Sequence, residues 1–247
     1  MPPVAMLRAI GLLLAVYGTA PTPAPATVIG VDERADLTHD ERDAYASVGL
    51  VTAGDPEIAV GVGFLVCDCR TVVTAAHVLD RQDGKGDGLY FQQDGRAELR
   101  IRIDRAAAVR PGLNPQPSAP SPLGDVRRDW AVAKLDRATP DCLPLSYKFD
   151  RPLVRIERVS LVGFHQDYGR IKKISRLCAV GLGGDASGGV LIHTCDLTAG
   201  ASGSPILLTE ADGRSYVVAV QSSEANSLGF NVAAMLVETV LGRLGGC

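Results

Sequence analysis

The chain has 247 residues, of which 46% are hydrophobic and 21% charged, and a formal net charge of −3. This composition suffices for a buried core and argues against a disordered or strongly polyanion-binding protein. Aromatic residues are few (5%), while Gly (27) and Pro (15) are plentiful. The balance predicts an all-β chain of short strands joined by tight turns.

The first 26 residues look like an export signal. Arg8 supplies a positive charge, an apolar run follows at 9–17, and Ala24-Pro25-Ala26 forms a small-x-small cleavage pattern. The apolar run is shorter than the roughly 20 residues that a membrane span needs. We therefore predict a signal peptide at 1–26 and a mature chain, 27–247, that is secreted or periplasmic and has no stable membrane insertion. An uncleaved N-terminal tether is the alternative.

From residue 45 onward the sequence predicts a succession of strands. Segments 45–53 and 58–67 are apolar and rich in Val, with a Gly-Asp-Pro turn between them. Segment 71–79 begins as a strand and becomes compatible with a helix near His77. Further strands are predicted at 99–105, 130–135, 154–164, 189–194, 205–208 and 216–220.

Two other segments have a different character. Residues 111–125 are rich in Pro and predict a surface loop within one unit, because the chemically informative motifs fall on both sides of it. Residues 233–244 have helical periodicity, which stops at Gly245-Gly246 and predicts a terminal helix.

Three short motifs carry the residue types of a serine hydrolase. They are TAAH ending at His77, DWA beginning at Asp129, and GASGSP around Ser202. Such chemistry needs a hydroxyl, an imidazole that accepts its proton, an acid that orients the imidazole, and N–H groups aimed at the oxyanion. Each motif alone has an ordinary structural explanation. Together they indicate a catalytic triad.

The order of the motifs separates the hydrolase classes. His…Asp…Ser is the chymotrypsin order, whereas α/β-hydrolases run Ser…Asp…His and subtilisins Asp…His…Ser. Ser204 also stands where the G-x-S-x-G elbow of lipases and esterases has its second glycine. The α/β-hydrolase interpretation is therefore poor.

The motifs TAAH, DWA and GASGSP resemble the three signatures of trypsin/chymotrypsin-like serine peptidases. The Ser-Pro ending of the third motif and the segments 28–34 and 216–233 resemble the bacterial branch that contains the glutamyl endopeptidases. The resemblance implies two packed six-stranded antiparallel β-barrels. The first barrel would span about 28–140 and the second about 150–232, followed by the helix at 233–244.

The resemblance also implies a role for each motif residue. Ser202 would be the nucleophile, His77 the general base and then acid, and Asp129 the residue that orients His77. The N–H groups of Gly200 and Ser202 would form the oxyanion hole. The implied activity is that of a serine endopeptidase acting on polypeptides, with no cofactor, no metal and no nucleic-acid partner, and we expect a monomer.

Four positions bear on activation and specificity. Ala201 replaces the Asp that pairs with a new N-terminal ammonium in trypsin-type zymogens, so we predict no activation of that kind. Asp196 stands where trypsin binds Lys or Arg, although a structural role is favoured. Thr198 could line the same pocket or satisfy a turn, and Gln221 stands where glutamate-cleaving relatives have a His. These positions leave the preferred substrate side chain open.

The six cysteines fit an oxidising compartment and favour disulfides over a zinc site, because Cys67-Asp68-Cys69 lacks metal-ligand spacing. We favour a Cys178–Cys195 bridge, which would brace the segment leading to Ser202. Either Cys67 or Cys69 would pair with Cys142. Cys247 would pair with the remaining one or stay free.

Two other functions remain open at this point. A catalytically silent protease-fold module would bind proteins or envelope material without needing a complete triad. An esterase on the same fold would use the same acyl-enzyme chemistry. The other histidines, His39, His165 and His193, have no spacing that makes a metal site.

Overall fold

The computed structural model describes residues 28–54, 58–80, 88–109, 126–140, 142–147, 158–183, 189–225 and 229–236. The first elements are the short strand β1 (Ala35–Asp36) and the helix α1 (His39–Ala44). Thr38 caps α1 by accepting from the Glu41 backbone N–H, and the Glu41 side chain accepts from the Thr38 N–H. This reciprocal capping box satisfies the donors at the start of the helix.

The next six strands form the N-terminal barrel, where Val, Thr and Leu are concentrated. They run antiparallel in the closed order β2-β3-β4-β7-β6-β5. Their bounds are β2 (Val48–Ala53), β3 (Ala59–Val66), β4 (Thr71–Thr74), β5 (Leu89–Gln93), β6 (Arg100–Val109) and β7 (Ala131–Leu135). The short helix α2 (Ala76–Asp80) follows β4 directly, as the change of pattern near His77 predicts.

Six further strands form the C-terminal barrel. The barrel closes in the order β8-β9-β10-β13-β12-β11, and β11 pairs back with β8. The bounds are β8 (Arg158–Phe164), β9 (Lys172–Gly183), β10 (Val190–His193), β11 (Pro205–Thr209), β12 (Ser215–Ala225) and β13 (Phe230–Met235). The predicted all-β fold with two six-stranded antiparallel barrels is confirmed. Single-turn 3₁₀ helices lie at Ala97–Leu99, Val126–Arg128 and Gln166–Tyr168.

Buried apolar side chains continue from the N-terminal barrel into the contact between the barrels. Val162, Phe164 and Ile174 of the second barrel join the same cluster as the residues inside the first. Polar contacts reinforce this packing, since the buried Lys172 ammonium pairs with Asp94 and donates to the Tyr45 carbonyl at 2.6 Å. Burial lowers the pKa of Lys172, which Asp94 counteracts.

The first barrel does not begin at residue 28, as the sequence resemblance implied. Instead, β1 pairs with β9 of the C-terminal barrel, and the backbone N–H groups of Ile29 and Glu33 donate to Asp196 of that barrel. The N-terminal barrel itself starts at β2. A local sequence pattern cannot reveal this, because the pairing partners lie more than a hundred residues away in the chain.

The end of the second barrel also differs from the prediction. Residues 233–235 belong to β13 rather than to a helix. Ala233 pairs with Leu191 and Gln221, and Ala234 pairs with Val190. These small buried residues fit the space between two strands, so burial in the sheet overrides their helical periodicity. The remainder of the predicted helix lies outside the described residues, as does the predicted loop at 111–125.

Disulfides brace both barrels. Cys178–Cys195 joins β9 to the segment after β10, which confirms the predicted bridge. Cys69–Cys142 settles the alternative left open by the sequence, and Cys67 is disulfide-bonded as well. The prediction for Cys247 lies outside the described ranges. Within those ranges, no helix is long and apolar enough to cross a membrane.

The turn at Ser202 and Gly203 docks directly on the N-terminal barrel. The Val62 N–H of β3 donates to the Ser202 carbonyl at 2.8 Å. Gly203 has φ +88°, and a Cβ there would lie 2.1 Å from the Val62 carbonyl oxygen and 2.4 Å from Thr74 Oγ1. Only a residue without a side chain fits this contact.

The docking contact predicts a large cost for Gly203→Ala. We expect it to lower the free energy of unfolding by about 3 kcal/mol or more, because overpacking adds to backbone strain. Gly213→Ala is the matched control, since Gly213 has φ +84° but nothing within 4 Å of an added Cβ. For Gly213→Ala, the free energy of unfolding should fall by only about 1 kcal/mol. Equal losses in urea unfolding experiments would contradict the docking argument.

Candidate active site

Helix α2 fixes the position of His77 at the edge of the N-terminal barrel. Ala75 and Ala76, just before it, are fully buried and hold the start of the helix against the core. The His77 backbone N–H donates to Asp129 Oδ1 at 2.9 Å, and its ring Nδ1 lies 2.7 Å from Asp129 Oδ2. With 43% of its side chain exposed, His77 is accessible to molecules in solution.

Asp129 lies between the 3₁₀ helix Val126–Arg128 and β7, with only 12% of its side chain exposed. A third donor reaches it, since Ser222 Oγ donates to Asp129 Oδ2 at 2.5 Å. Burial alone would raise the pKa of Asp129, but the hydrogen bonds and charge of His77, with the Ser222 hydroxyl, hold it below its ordinary value. Asp129 is therefore a carboxylate at neutral pH.

Ser202 lies in the turn that precedes β11. Its hydroxyl is 3.5 Å from the Ser222 carbonyl oxygen, while the Gly203 N–H donates to the Gln221 carbonyl at 2.8 Å. Ser222 thus contacts both Asp129 through its hydroxyl and Ser202 through its carbonyl. Ser222, a residue of β12, therefore links Asp129 to Ser202, and His77 is joined to this pair through its hydrogen bonds with Asp129.

Gly200 adopts a backbone conformation that favours glycine, with φ +97°. The carbonyl of Ala199 accepts a hydrogen bond from the Gln166 N–H at 2.8 Å. In a trans peptide the carbonyl and the following N–H point in opposite directions, so the Gly200 N–H faces away from Gln166. Across the described ranges, neither this N–H nor that of Ser202 donates to another backbone group.

The carboxylate of Asp196 is occupied by the chain itself. Its two oxygens each accept from one backbone N–H, those of Ile29 and Glu33, at 2.8 Å. The residue is only 3% exposed. These contacts agree with the structural role favoured at the sequence level.

Thr198 is likewise engaged in internal contacts. Its hydroxyl donates to Asp167 Oδ1 at 2.7 Å and accepts from Arg34 Nη1 at 3.3 Å. Its N–H donates to His165 Nδ1 at 3.3 Å. Burial lowers the pKa of His165 to about 4, so this ring is neutral at pH 7.

Gln221 forms a fully internal pair with His193. His193 Nε2 lies 2.7 Å from Gln221 Oε1, and the Gln221 amide nitrogen donates to the Ser223 carbonyl at 3.1 Å. Because Oε1 only accepts, Nε2 carries the ring proton, while Nδ1 accepts from the Cys195 N–H. Burial lowers the pKa of His193 to about 4. The pair is therefore neutral.

Sequence reasoning missed two groups of residues at this site. Ser222 is inconspicuous in a strand rich in Ser, and the segment 28–34 was noted only for its resemblance. Ser222 and the segment 28–34 reach the site through contacts with residues far away in the chain. No local sequence pattern encodes such contacts. In the described part of the chain, no cluster of three His, Cys, Asp or Glu side chains could hold a metal ion.

Comparisons with known proteins bear on the family and the fold of the chain. A family model described as a trypsin-like peptidase domain matches residues 61–220. A search of curated protein sequences found no significant match.

Solved structures share the fold at low sequence identity. A Glu endopeptidase in complex with MPD is 16% identical in sequence and superposes with a TM-score of 0.63. The match covers 88% of this chain and 97% of the endopeptidase chain. Neuropsin, a serine protease from mouse brain, is 14% identical with a TM-score of 0.65, covering 87% and 99%. The VesB protease of Vibrio cholerae is 15% identical with a TM-score of 0.62, covering 83% of this chain and 64% of its own.

The hydrogen bond from Ser222 to Asp129 predicts a pH-dependent effect of Ser222→Ala. A carboxyl with a lowered pKa stabilises the fold above its unfolded pKa, and this stabilisation is lost as the pH falls through the folded value. Removing a donor raises the pKa of Asp129. We therefore expect Ser222→Ala to lower the free energy of unfolding by about 2 kcal/mol at pH 7, and by less below about pH 4.

Urea unfolding at pH 7 and pH 3 measures this change. Ser223→Ala is the control, because Ser223 is the exposed neighbour on the same strand. A loss in Ser222→Ala that is equal at both pH values, or matched by the control, would contradict the assignment.

Proposed function

The chain belongs to the trypsin-like peptidase family, and on that premise we propose that it is an exported serine endopeptidase with His77, Asp129 and Ser202 as its catalytic triad. The observation that carries the proposal is the hydrogen bond between His77 Nδ1 and Asp129. The carboxylate accepts the Nδ1 proton, so Nε2 of a neutral ring keeps a lone pair that can accept a proton.

The proposed reaction proceeds in two halves. In the first, Ser202 Oγ attacks the scissile carbonyl carbon while His77 Nε2 takes the hydroxyl proton, and the same proton then passes to the leaving amine. This leaves an acyl group on Ser202. In the second, water attacks the acyl carbon, His77 takes a proton from the water, and that proton returns to Ser202 as the acid product departs.

The proposed oxyanion hole consists of the Gly200 and Ser202 N–H groups. Both are backbone donors held by a tight turn, so they need little reorganisation as charge develops on the carbonyl oxygen. Asp129 keeps the negative charge that stabilises the His77 cation, which agrees with its lowered pKa.

Export is supported by two independent features of the chain. The first 26 residues have the pattern of a cleavable signal. The Cys69–Cys142 and Cys178–Cys195 disulfides are typical of an oxidising compartment. We therefore propose that the protein acts on polypeptides outside the cytoplasm.

Labelling with a fluorophosphonate probe tests the proposed nucleophile. We expect the leader-free protein to be labelled on Ser202, and Ser202→Ala and His77→Ala to lose at least about 99% of the labelling rate. Ser160→Ala and His39→Ala are matched controls, since Ser160 lies on β8 and the His39 side chain is 82% exposed on α1. A folded parent that resists labelling would instead favour a silent binding module.

The occupied carboxylate of Asp196 and the neutral Gln221–His193 pair predict a preference for uncharged side chains before the cleaved bond. In a peptide-library digest, we expect cleavage after Lys or Arg, and after Glu or Asp, to be at least about tenfold slower than after the preferred neutral residue. Dominant cleavage after Lys or Arg that disappears in Asp196→Asn would show instead that this carboxylate binds substrate.

A further inference from the structure

Residues 28–36 form a segment, here called the N-terminal strap, that lies across the C-terminal barrel. Two of its backbone N–H groups, those of Ile29 and Glu33, donate to the Asp196 carboxylate. Its last two residues form β1 on the edge of β9, where Asp36 also pairs with Lys173 at 2.8 Å. The strap therefore contacts the segment that leads to Ser202.

Arg34 is the most buried charged side chain of the strap, with 2% of the side chain exposed. Its Nε and Nη2 donate to the two Asp32 oxygens at 2.9 and 2.8 Å, and its Nη1 and Nη2 donate to the two Asp167 oxygens at 3.0 and 2.6 Å. A buried guanidinium is tolerated only when it is paired in this way. The hydrogen bonds from Arg34, opposed by burial, lower the pKa of Asp32 to about 2.

Beyond Asp32, Arg34 donates to Asp167 and Thr198, which belong to the two segments next to Gly200, and its guanidinium lies 4.8 Å from the centre of the Tyr168 ring. Asp167 lies in the 3₁₀ helix that begins at Gln166, and Thr198 lies two residues before Gly200. The Thr198 hydroxyl also donates to Asp167, so Arg34, Asp167 and Thr198 form a closed triangle of hydrogen bonds. This triangle joins the two segments from one side.

The same two segments meet again at the peptide that orients the proposed oxyanion donor. The Gln166 N–H donates to the Ala199 carbonyl, and this bond turns the Gly200 N–H to the opposite side of the peptide plane. Rotation of that peptide would remove the N–H from its position. The segments joined by the Arg34 triangle are thus the ones that hold the donor in place.

We propose that Arg34 is a positioning residue, which holds the Ala199–Gly200 peptide in its oxyanion-binding orientation by joining Asp167 to Thr198. The inference rests on the proposed function for its catalytic consequence, but its structural part is independent of activity. Ala201 has no carboxylate with which a terminal ammonium could organise this loop. An internal guanidinium supplies the organising charge instead.

Two variants test the proposal, with a matched control. Arg34→Met keeps the apolar stem and removes the guanidinium, and Asp167→Asn removes the charge that it contacts. Arg176→Met is the control, because Arg176 also pairs the N-terminal region with β9, through Glu41 of α1. Among the described residues, the side-chain hydrogen bonds of Arg176 go to Glu41 and not to the loop before Ser202. All three variants are made in the leader-free chain, and thermal unfolding establishes the folded fraction of each before ester hydrolysis and hydrogen exchange are measured.

Ester hydrolysis separates positioning from simple stability. With a p-nitrophenyl ester, we expect Arg34→Met and Asp167→Asn to lower kcat by about 10- to 100-fold while KM changes by less than about threefold, since an oxyanion donor acts on the transition state. The double variant should be no slower than the slower single variant. Arg176→Met should keep kcat within about twofold. An unchanged kcat in both test variants would overturn the proposal.

Hydrogen exchange of the peptide that spans residues 196–204 gives an answer that needs no activity. We expect exchange about tenfold faster or more in Arg34→Met and Asp167→Asn and unchanged in Arg176→Met. Unchanged exchange in the test variants, or an equal rise in the control, would overturn the proposal. If Arg34→Met does not fold, Asp167→Asn decides. An inactive parent would refute the proposed function alone, because exchange still tests the strap.

Discussion

The docking of the Ser202–Gly203 turn on Val62 is the contact on which the candidate site depends. His77 and Asp129 come from one barrel and Ser202 from the other, so the site exists only while the barrels keep a fixed relative position. The Val62 N–H holds the Ser202 carbonyl, and Gly203 permits a backbone approach that any side chain would block. One of the contacts that set the relative position of the barrels thus involves Ser202, the proposed nucleophile.

The segment that leads to the same turn is contacted by the N-terminal strap. Asp196 accepts two N–H groups from it, and Arg34 joins the two segments beside Gly200. The loop therefore contacts both the first barrel and the chain's own N-terminal region. The buried Arg34 guanidinium is paired with the partly exposed Asp32 and Asp167, and the buried Asp196 carboxylate accepts two backbone N–H groups.

The resemblance carried by the three short motifs implied the two barrels, which the fold confirms. The favoured Cys178–Cys195 bridge is also confirmed, although cysteine pairing has no local signature. Alternating strands, tight turns and short motifs are encoded by neighbouring residues. The strand β9 was missed because its first residues, KKISRL at 172–177, lack the strict alternation of apolar and polar residues that marks a strand. Ser222 and Arg34 were missed because their partners lie far away in sequence. The start of the first barrel was misplaced for the same reason.

A crystal structure of the protein after reaction with a fluorophosphonate tests the central claim most directly. The account predicts a phosphorus atom bonded to Ser202 Oγ and a phosphonyl oxygen within about 3 Å of both the Gly200 and Ser202 nitrogen atoms. The Val62 N–H should still donate to the Ser202 carbonyl. An adduct on another residue, or a phosphonyl oxygen that points away from these two N–H groups, would contradict the account.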